Sequence, residues 1–174
     1  MTIAASTHLN NVNIEAVAGL VQAIQDDPAK AGTTWAAHVT WKGGFASESR
    51  VRDFAPTPSD EPAGLGGEDA APNPVEQLLG ALGNCLAVGY AANATVAGIE
   101  LRDLRIDVQG DVDLHTFLGL RDGHAGFDSI SAAVRIDSDA PREQLEELHA
   151  KVIGSSPVGH TLQHAVPLDI TLAH

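Results

Sequence analysis

The chain has 174 residues, 44% of them apolar, with 23 acidic against 10 basic side chains and a formal net charge of −13. That length suits one domain with a sizeable core, and the charge disfavours nucleic acid, since no Lys/Arg cluster offsets the repulsion of phosphates. No apolar run approaches the ~20 residues needed to span a bilayer, and the start "MTIAASTHLNN" lacks the basic and apolar regions of a secretory signal, so no membrane partner is expected.

The single cysteine, Cys85, excludes an internal disulfide, and a reducing cytoplasmic setting is the simplest expectation. From Asn13 to Asp27, Ile14, Val17, Val21 and Ile24 recur at three- and four-residue steps and predict an amphipathic helix limited by Pro28. Residues 1–30 therefore read as an N-terminal helical extension, and residues 31–174 as the main domain. The stretch "TTWAAHVTWKGGFASESRVRDF" reads as a hairpin: Trp35, Ala37, Val39 and Trp41 alternate, Gly43-Gly44 supplies the turn, and Phe45 opens the return strand. Ala55 to Pro72, with four prolines and three glycines, is an unusually long loop, of a length that suits a cover over a site.

Asn73 to about Ala97 predicts a long central helix. Asn73 is placed to cap it, Pro74 suits the first helical position, and Glu76 stands where a capping-box acid reaches back. Leu78, Leu82 and Cys85 share one stripe. Gly80, Gly83 and Gly89 each cost roughly 1 kcal/mol relative to alanine in a helix, which points to close approach of another backbone. Alternation returns at Leu104, Ile106 and Val108, and again at Ile130, Ala132, Val134 and Ile136, with the partly apolar loop "DVDLHTFLGLRDGHAGF" between them. Pro141 to Ile153 reads as a helix with Leu145, Leu148 and Val152 inward. Gly154 ends it, Ser156-Pro157 starts a short further helix, and Val166, Leu168, Ile170 and Leu172 predict a last strand. Strand blocks around two helices, without regular β-α-β alternation, indicate an α+β fold.

Taken in order, the hairpin, "GGEDAAPNPVEQLLGALGNCLAVGY", "GDVDLHTFLGL", "GF" and "SSPVGHTLQHAVPL" resemble the OsmC-like proteins, relatives of the organic hydroperoxide resistance peroxidases. The similarity runs from about Asn13 to Leu172. It implies an OsmC-like α+β fold, with antiparallel sheets around a long central helix, in an intertwined homodimer. It also implies a mostly apolar pocket at the subunit interface, faced by the cysteine of the central helix. In the peroxidases that cysteine attacks the hydroperoxide, and a second one, in a Cys-Pro motif, resolves the sulfenic acid as a disulfide. An arginine after the hairpin glycines and a glutamate at the helix start hold the thiolate.

Cys85 falls on the position of the attacking thiol, and is the one catalytic residue the resemblance supports here. The position of the second cysteine holds Ser156, so an intramolecular dithiol cycle is unavailable; a serine before a proline is also a good N-cap. Val75 stands where the peroxidases place their glutamate, with Glu76 one residue later. Glu76 and Cys85 are nine residues apart, about 2.5 turns and roughly 13 Å along the axis, on opposite helix faces. Capping is the expected duty of Glu76. Phe45 replaces the expected arginine, leaving Arg50 and Arg52 further along the strand as sources of positive charge.

Two functions are compatible with this pattern. One is thiol-dependent reduction of organic hydroperoxides through Cys85, with an external thiol as reductant. The other is a non-catalytic protein that binds an apolar small molecule in the interface pocket. "HTLQH" sets His160 and His164 four apart on one helix face, but the glutamate of a zinc motif is missing, and neither a metal nor another cofactor is expected.

Overall fold

The computed structural model describes residues 8–173. They divide into two compact units, one formed by residues up to Ile14 together with those from Ala81 onward, the other by Glu15–Gly80.

The Glu15–Gly80 unit holds nearly all of helix α1 (Ile14–Asp26) and a three-stranded antiparallel sheet, β1 (His38–Gly43), β2 (Ala46–Arg50) and β3 (Thr57–Ser59), in the order β1-β2-β3. The hairpin turn needs its glycines, since Gly43 (φ 118°) and Gly44 (φ 54°) both take left-handed backbone that side chains disfavour. Trp35 and Ala37 precede β1, so the alternation marks a shorter strand than expected, and Phe45 sits in the turn. The amphipathic pattern of α1 is real but uncovered in the single chain: none of its residues is buried. The Ala55–Pro72 segment is more ordered than a loop. It contains β3 and a turn of 3-10 helix at Ala63–Leu65, organised by the buried carboxylate of Asp60, which accepts backbone N–H bonds from Glu61 (2.9 Å), Glu68 (3.0 Å) and Ala70 (3.2 Å).

The long helix α2 (Pro74–Val96) starts as its sequence requires. Asn73 Oδ1 accepts from the Glu76 N–H (2.9 Å), and Glu76 Oε2 accepts in return from the Asn73 N–H (2.8 Å), a closed capping box. Asn73 Nδ2 also donates to Glu61, fastening the preceding loop to the helix start.

In the other unit, β4 (Asp103–Val112) and β5 (Phe127–Asp137) pair antiparallel, setting Leu104 opposite Ile136 and Ile106 opposite Val134. The loop between them holds one helical turn, α3 (Leu114–Phe117), capped by Asp113. Helix α4 (Arg142–Ile153) follows, then α5 (Pro157–Gln163). The core is the stripe Leu82, Leu86, Tyr90 and Ala94 of α2, at strict four-residue steps, with Ile99 and with Leu148 and Val152 of α4. The inward side chains of β4 and β5 pack on it. The expected stripe through Leu78, Leu82 and Cys85 is displaced: Leu78, though on the same four-residue step, is exposed, and Cys85 is half-buried because the i, i+4 continuation from Leu82 falls on Leu86. Of the helix glycines, Gly89 is the one that close packing requires, since a Cβ there would lie 2.9 Å from Val152 Cγ1. Around Gly80 there is open space.

Two terminal segments complete this unit. Asn10, in left-handed backbone (φ 52°), donates from Nδ2 to the Ile99 carbonyl (2.9 Å) and to Thr95 Oγ1 (3.1 Å), and accepts at Oδ1 from the Leu101 N–H (2.8 Å). A single side-chain amide thus pairs with the backbone beyond α2 as a strand would. The expected last strand is corrected: residues 165–173 pair with no strand among the described residues, and Leu168, Ile170 and Leu172 are each more than 80% exposed. Alternation fixes which face of a strand is apolar, but a strand also needs a neighbour for its N–H and C=O groups, and this chain offers none there.

Candidate functional site

Cys85 lies on α2 between the buried positions Leu82 and Leu86, one step off the core stripe, which leaves its thiol half-buried. Chain reversal after α4 brings α5 to it. Gly154 ends α4, Ser156 and Pro157 begin α5, and Ser156 Oγ accepts from the Gly159 N–H (3.1 Å), the N-cap bond expected of a serine there. The same Oγ stands 3.2 Å from Cys85 Sγ, within hydrogen-bonding distance for sulfur. Ser156 is only 5% exposed. Two residues 71 positions apart in sequence thus form one polar contact at the edge of an apolar core. Cys85 and Ser156 are the two sequence-predicted site residues that the structure brings together.

The other candidates have local engagements. Glu76 gives its carboxylate to the capping box. Arg50 Nε lies 3.5 Å from Glu48, whose carboxyl is held below its ordinary value first by the hydrogen bond from Lys42 and further by Arg50. Arg52 adopts a positive φ of 50° and stacks its guanidinium over the Phe54 ring at 4.6 Å, a cation–π contact. His160 and His164 lie side by side at the end of α5, where the His164 N–H, at the C-cap, donates to the His160 carbonyl. Their rings stack at 5.5 Å, with His160 Nε2 near the Gly154 carbonyl and His164 Nδ1 near that of His160. Among the described residues no group of three or more His, Cys, Asp or Glu side chains is arranged to hold a metal ion.

Two features escaped the sequence reading. Tyr90 is fully buried five residues beyond Cys85, and its hydroxyl is hydrogen-bonded to His149 Nδ1 of α4. Burial pushes the Tyr90 hydroxyl above its ordinary pKa, so it stays a neutral partner for the imidazole. Its signal was available, since Tyr90 continues the four-residue step from Leu82 and Leu86. Asp60 had no such signal, because its donors are backbone amides. The bond from Ala70 contributes most, and with those from Glu61 and Glu68 it holds the Asp60 carboxyl below the usual carboxylate range. Further along α2, a cleft of about 320 Å³ is lined by Asn93, Ile99, Gln144, Glu147, Leu148 and Lys151. Its size is at the lower limit for a small-molecule pocket, and its mixed polar walls suit an apolar ligand poorly.

No helix among the described residues is long and apolar enough to cross a membrane. No curated protein matches the sequence. Among solved structures, the fold is similar to an OsmC-like protein from Mycoplasma pneumoniae (TM-score 0.67, 19% identity, 82% of this chain and 99% of that one). It is also similar to an organic hydroperoxide resistance protein OsmC from Legionella pneumophila (TM-score 0.59, 19% identity, 76% and 92%). A third likeness is to an organic hydroperoxide resistance protein from Elizabethkingia anophelis (TM-score 0.59, 16% identity, 75% and 90%). At these identities the likeness speaks for the fold. The family model for OsmC-like protein matches residues 66–171, a span that contains both Cys85 and Ser156, and the chain belongs to that family.

Proposed function

We propose that this protein reduces organic hydroperoxides with Cys85 as its nucleophile and an external low-molecular-weight thiol as its reductant. The observation that carries the reading is the Cys85–Ser156 contact at 3.2 Å, a half-buried thiol with a polar neighbour, within a family whose fold is shared by organic hydroperoxide resistance proteins. The thiolate, not the thiol, is the reacting form. Its lone pair attacks the terminal oxygen of the hydroperoxide, the O–O bond breaks, and the alkoxide leaves and takes a proton to become the alcohol. The sulfur retains OH as a sulfenic acid. The side chain beside it is a hydroxyl, so no internal disulfide forms. One external thiol condenses with the sulfenic acid and releases water, and a second displaces Cys85 to give the external disulfide and the original thiol.

Such a cycle needs a reducing compartment, which fits a cytoplasmic location. The working form in this reading is a homodimer. Trp35 (80% exposed), Leu168, Ile170 and Leu172 are apolar side chains that the single chain leaves in water, and a second copy is the partner we infer to cover them. The test is to mix purified protein with cumene hydroperoxide and a thiol reductant, following peroxide loss and trapping sulfenate with dimedone. Turnover that disappears in Cys85→Ser supports the reading. Absence of turnover with every thiol tried, or turnover unchanged in Cys85→Ser, overturns it. Sedimentation of the same sample reports the dimer, and a monomer at micromolar concentration removes that part.

A further inference from the structure

We infer that Ser156 is a positioning residue for the chemistry at Cys85, its hydroxyl donating a hydrogen bond to the thiolate. The inference rests on the reading of Cys85 as the reacting group. It goes beyond that reading by giving work to a residue that, as a helix cap alone, would need no neighbouring thiol.

A serine hydroxyl carries one proton and two lone pairs. One lone pair of Ser156 Oγ is taken by the Gly159 N–H at 3.1 Å, which leaves the proton free to point at Cys85 Sγ, 3.2 Å away. While Cys85 is a neutral thiol, either group can donate. Once the thiol loses its proton, sulfur can only accept, so the bond has a single direction. It also becomes charge-assisted, and such bonds are roughly twice as strong as neutral ones. The contact therefore stabilises the thiolate more than the thiol. The N–H of Gly159 adds to this by polarising the O–H it bonds, so the two bonds reinforce each other.

Geometry makes the donor a fixed one. The capping bond sets the Ser156 side chain, and Pro157 holds the first residue of α5 in helical φ. Ser156 is 5% exposed, so little water competes for its proton. Gly159 has a part in this: a Cβ there would stand 3.1 Å from Ser156 Oγ and 3.2 Å from its Cβ, tight enough to press the serine out of place. The cap, the glycine and the thiol form one arrangement, with the hydroxyl at its centre.

Two substitutions separate the donor from the cap. Ser156→Gly removes the hydroxyl and costs only a few tenths of a kcal/mol as an N-cap, whereas Ser156→Thr keeps both functions. The readout is the rate of Cys85 alkylation by iodoacetamide at neutral pH in the full-length protein, with thermal unfolding as a check on the fold. Losing one charge-assisted bond changes the thiolate population about tenfold. The rise in nucleophilicity that accompanies a more basic thiolate returns part of this, leaving about a three- to fourfold slower alkylation in Ser156→Gly. Ser156→Thr is expected to stay within about twofold of wild type, and that rescue is what a purely structural role would not produce. Equal rates in wild type and Ser156→Gly overturn the inference, as does an equal fall in both variants. Peroxide turnover measured on the same samples is independent: a wild type that fails to turn over, yet shows the alkylation pattern, overturns the hydroperoxide reading and leaves the role of Ser156 standing.

Discussion

From Ala81 onward the chain buries seven apolar side chains, Leu82, Leu86, Tyr90, Ala94, Ile99, Leu148 and Val152, whereas Glu15–Gly80 buries two residues, Asp60 and Asn73, both polar. The first unit is ordered by removing hydrocarbon from water, each buried leucine, isoleucine or valine contributing about 1.5–3 kcal/mol. The second is ordered by hydrogen bonds at its turns and helix start, with its large apolar side chains outward: Trp41 is 72% and Val39 69% exposed. Each kind of residue therefore matters in a different place. In the first unit volume decides, and the thiol sits at the rim of a packed core. In the second, polar complementarity decides, and the large apolar side chains lie outward.

The most direct way to break that contrast is a cavity in the first unit. Leu86→Ala is expected to cost about 2–5 kcal/mol in urea denaturation, the range for a buried leucine whose site cannot fully collapse. A cost below about 1 kcal/mol would mean that the stripe is not what holds this unit. A finer probe is Gly89→Ala. The new Cβ would fall 2.9 Å from Val152 Cγ1, an overpacking of about 1–3 kcal/mol set against up to about 1 kcal/mol of gained helix propensity. Net destabilisation near 1 kcal/mol is expected by the same measurement, and a stabilised variant would show that α2 and α4 are looser than this contact implies.

For the second unit, Asp60→Asn turns a carboxylate that accepts three N–H bonds into an amide whose NH2 faces other donors. The effect is expected to be smaller and to depend on pH. The Asp60 carboxyl is held below its unfolded value, so its stabilisation is fully present above an unfolded pKa of about 3.9 and fades as pH falls through the lower folded value. The melting temperature of Asp60→Asn should therefore lie below wild type at pH 7, and the gap should close on going below pH 4. A gap independent of pH would assign the loss to packing instead.

Much of both units was legible in their residues. The capping box at Asn73 and Glu76, the serine cap before Pro157 and the alternation of β4 and β5 are local patterns, and each was realised. What local pattern could not supply was distance in sequence. From its local sequence the Ser156 hydroxyl was assigned to a cap, and only the resemblance, which sets it at the position of the second cysteine, points to Cys85 as its neighbour across 71 positions. The final strand failed for a related reason, as alternation from Val166 to Leu172 describes one half of a pairing. Arg50 and Arg52 were read as sources of positive charge for the site, and a carboxylate and an aromatic ring close by engage them.

The amide of Asn10 imposes an order on events. Its backbone partners, Ile99 and Leu101, are translated about ninety residues after it, so for most of the chain's synthesis the first clasp of this unit has nothing to grip. The whole Glu15–Gly80 unit is made inside that interval. The N-terminal segment can therefore take its place only after α2 and the turn beyond it have been made, however early it leaves the ribosome.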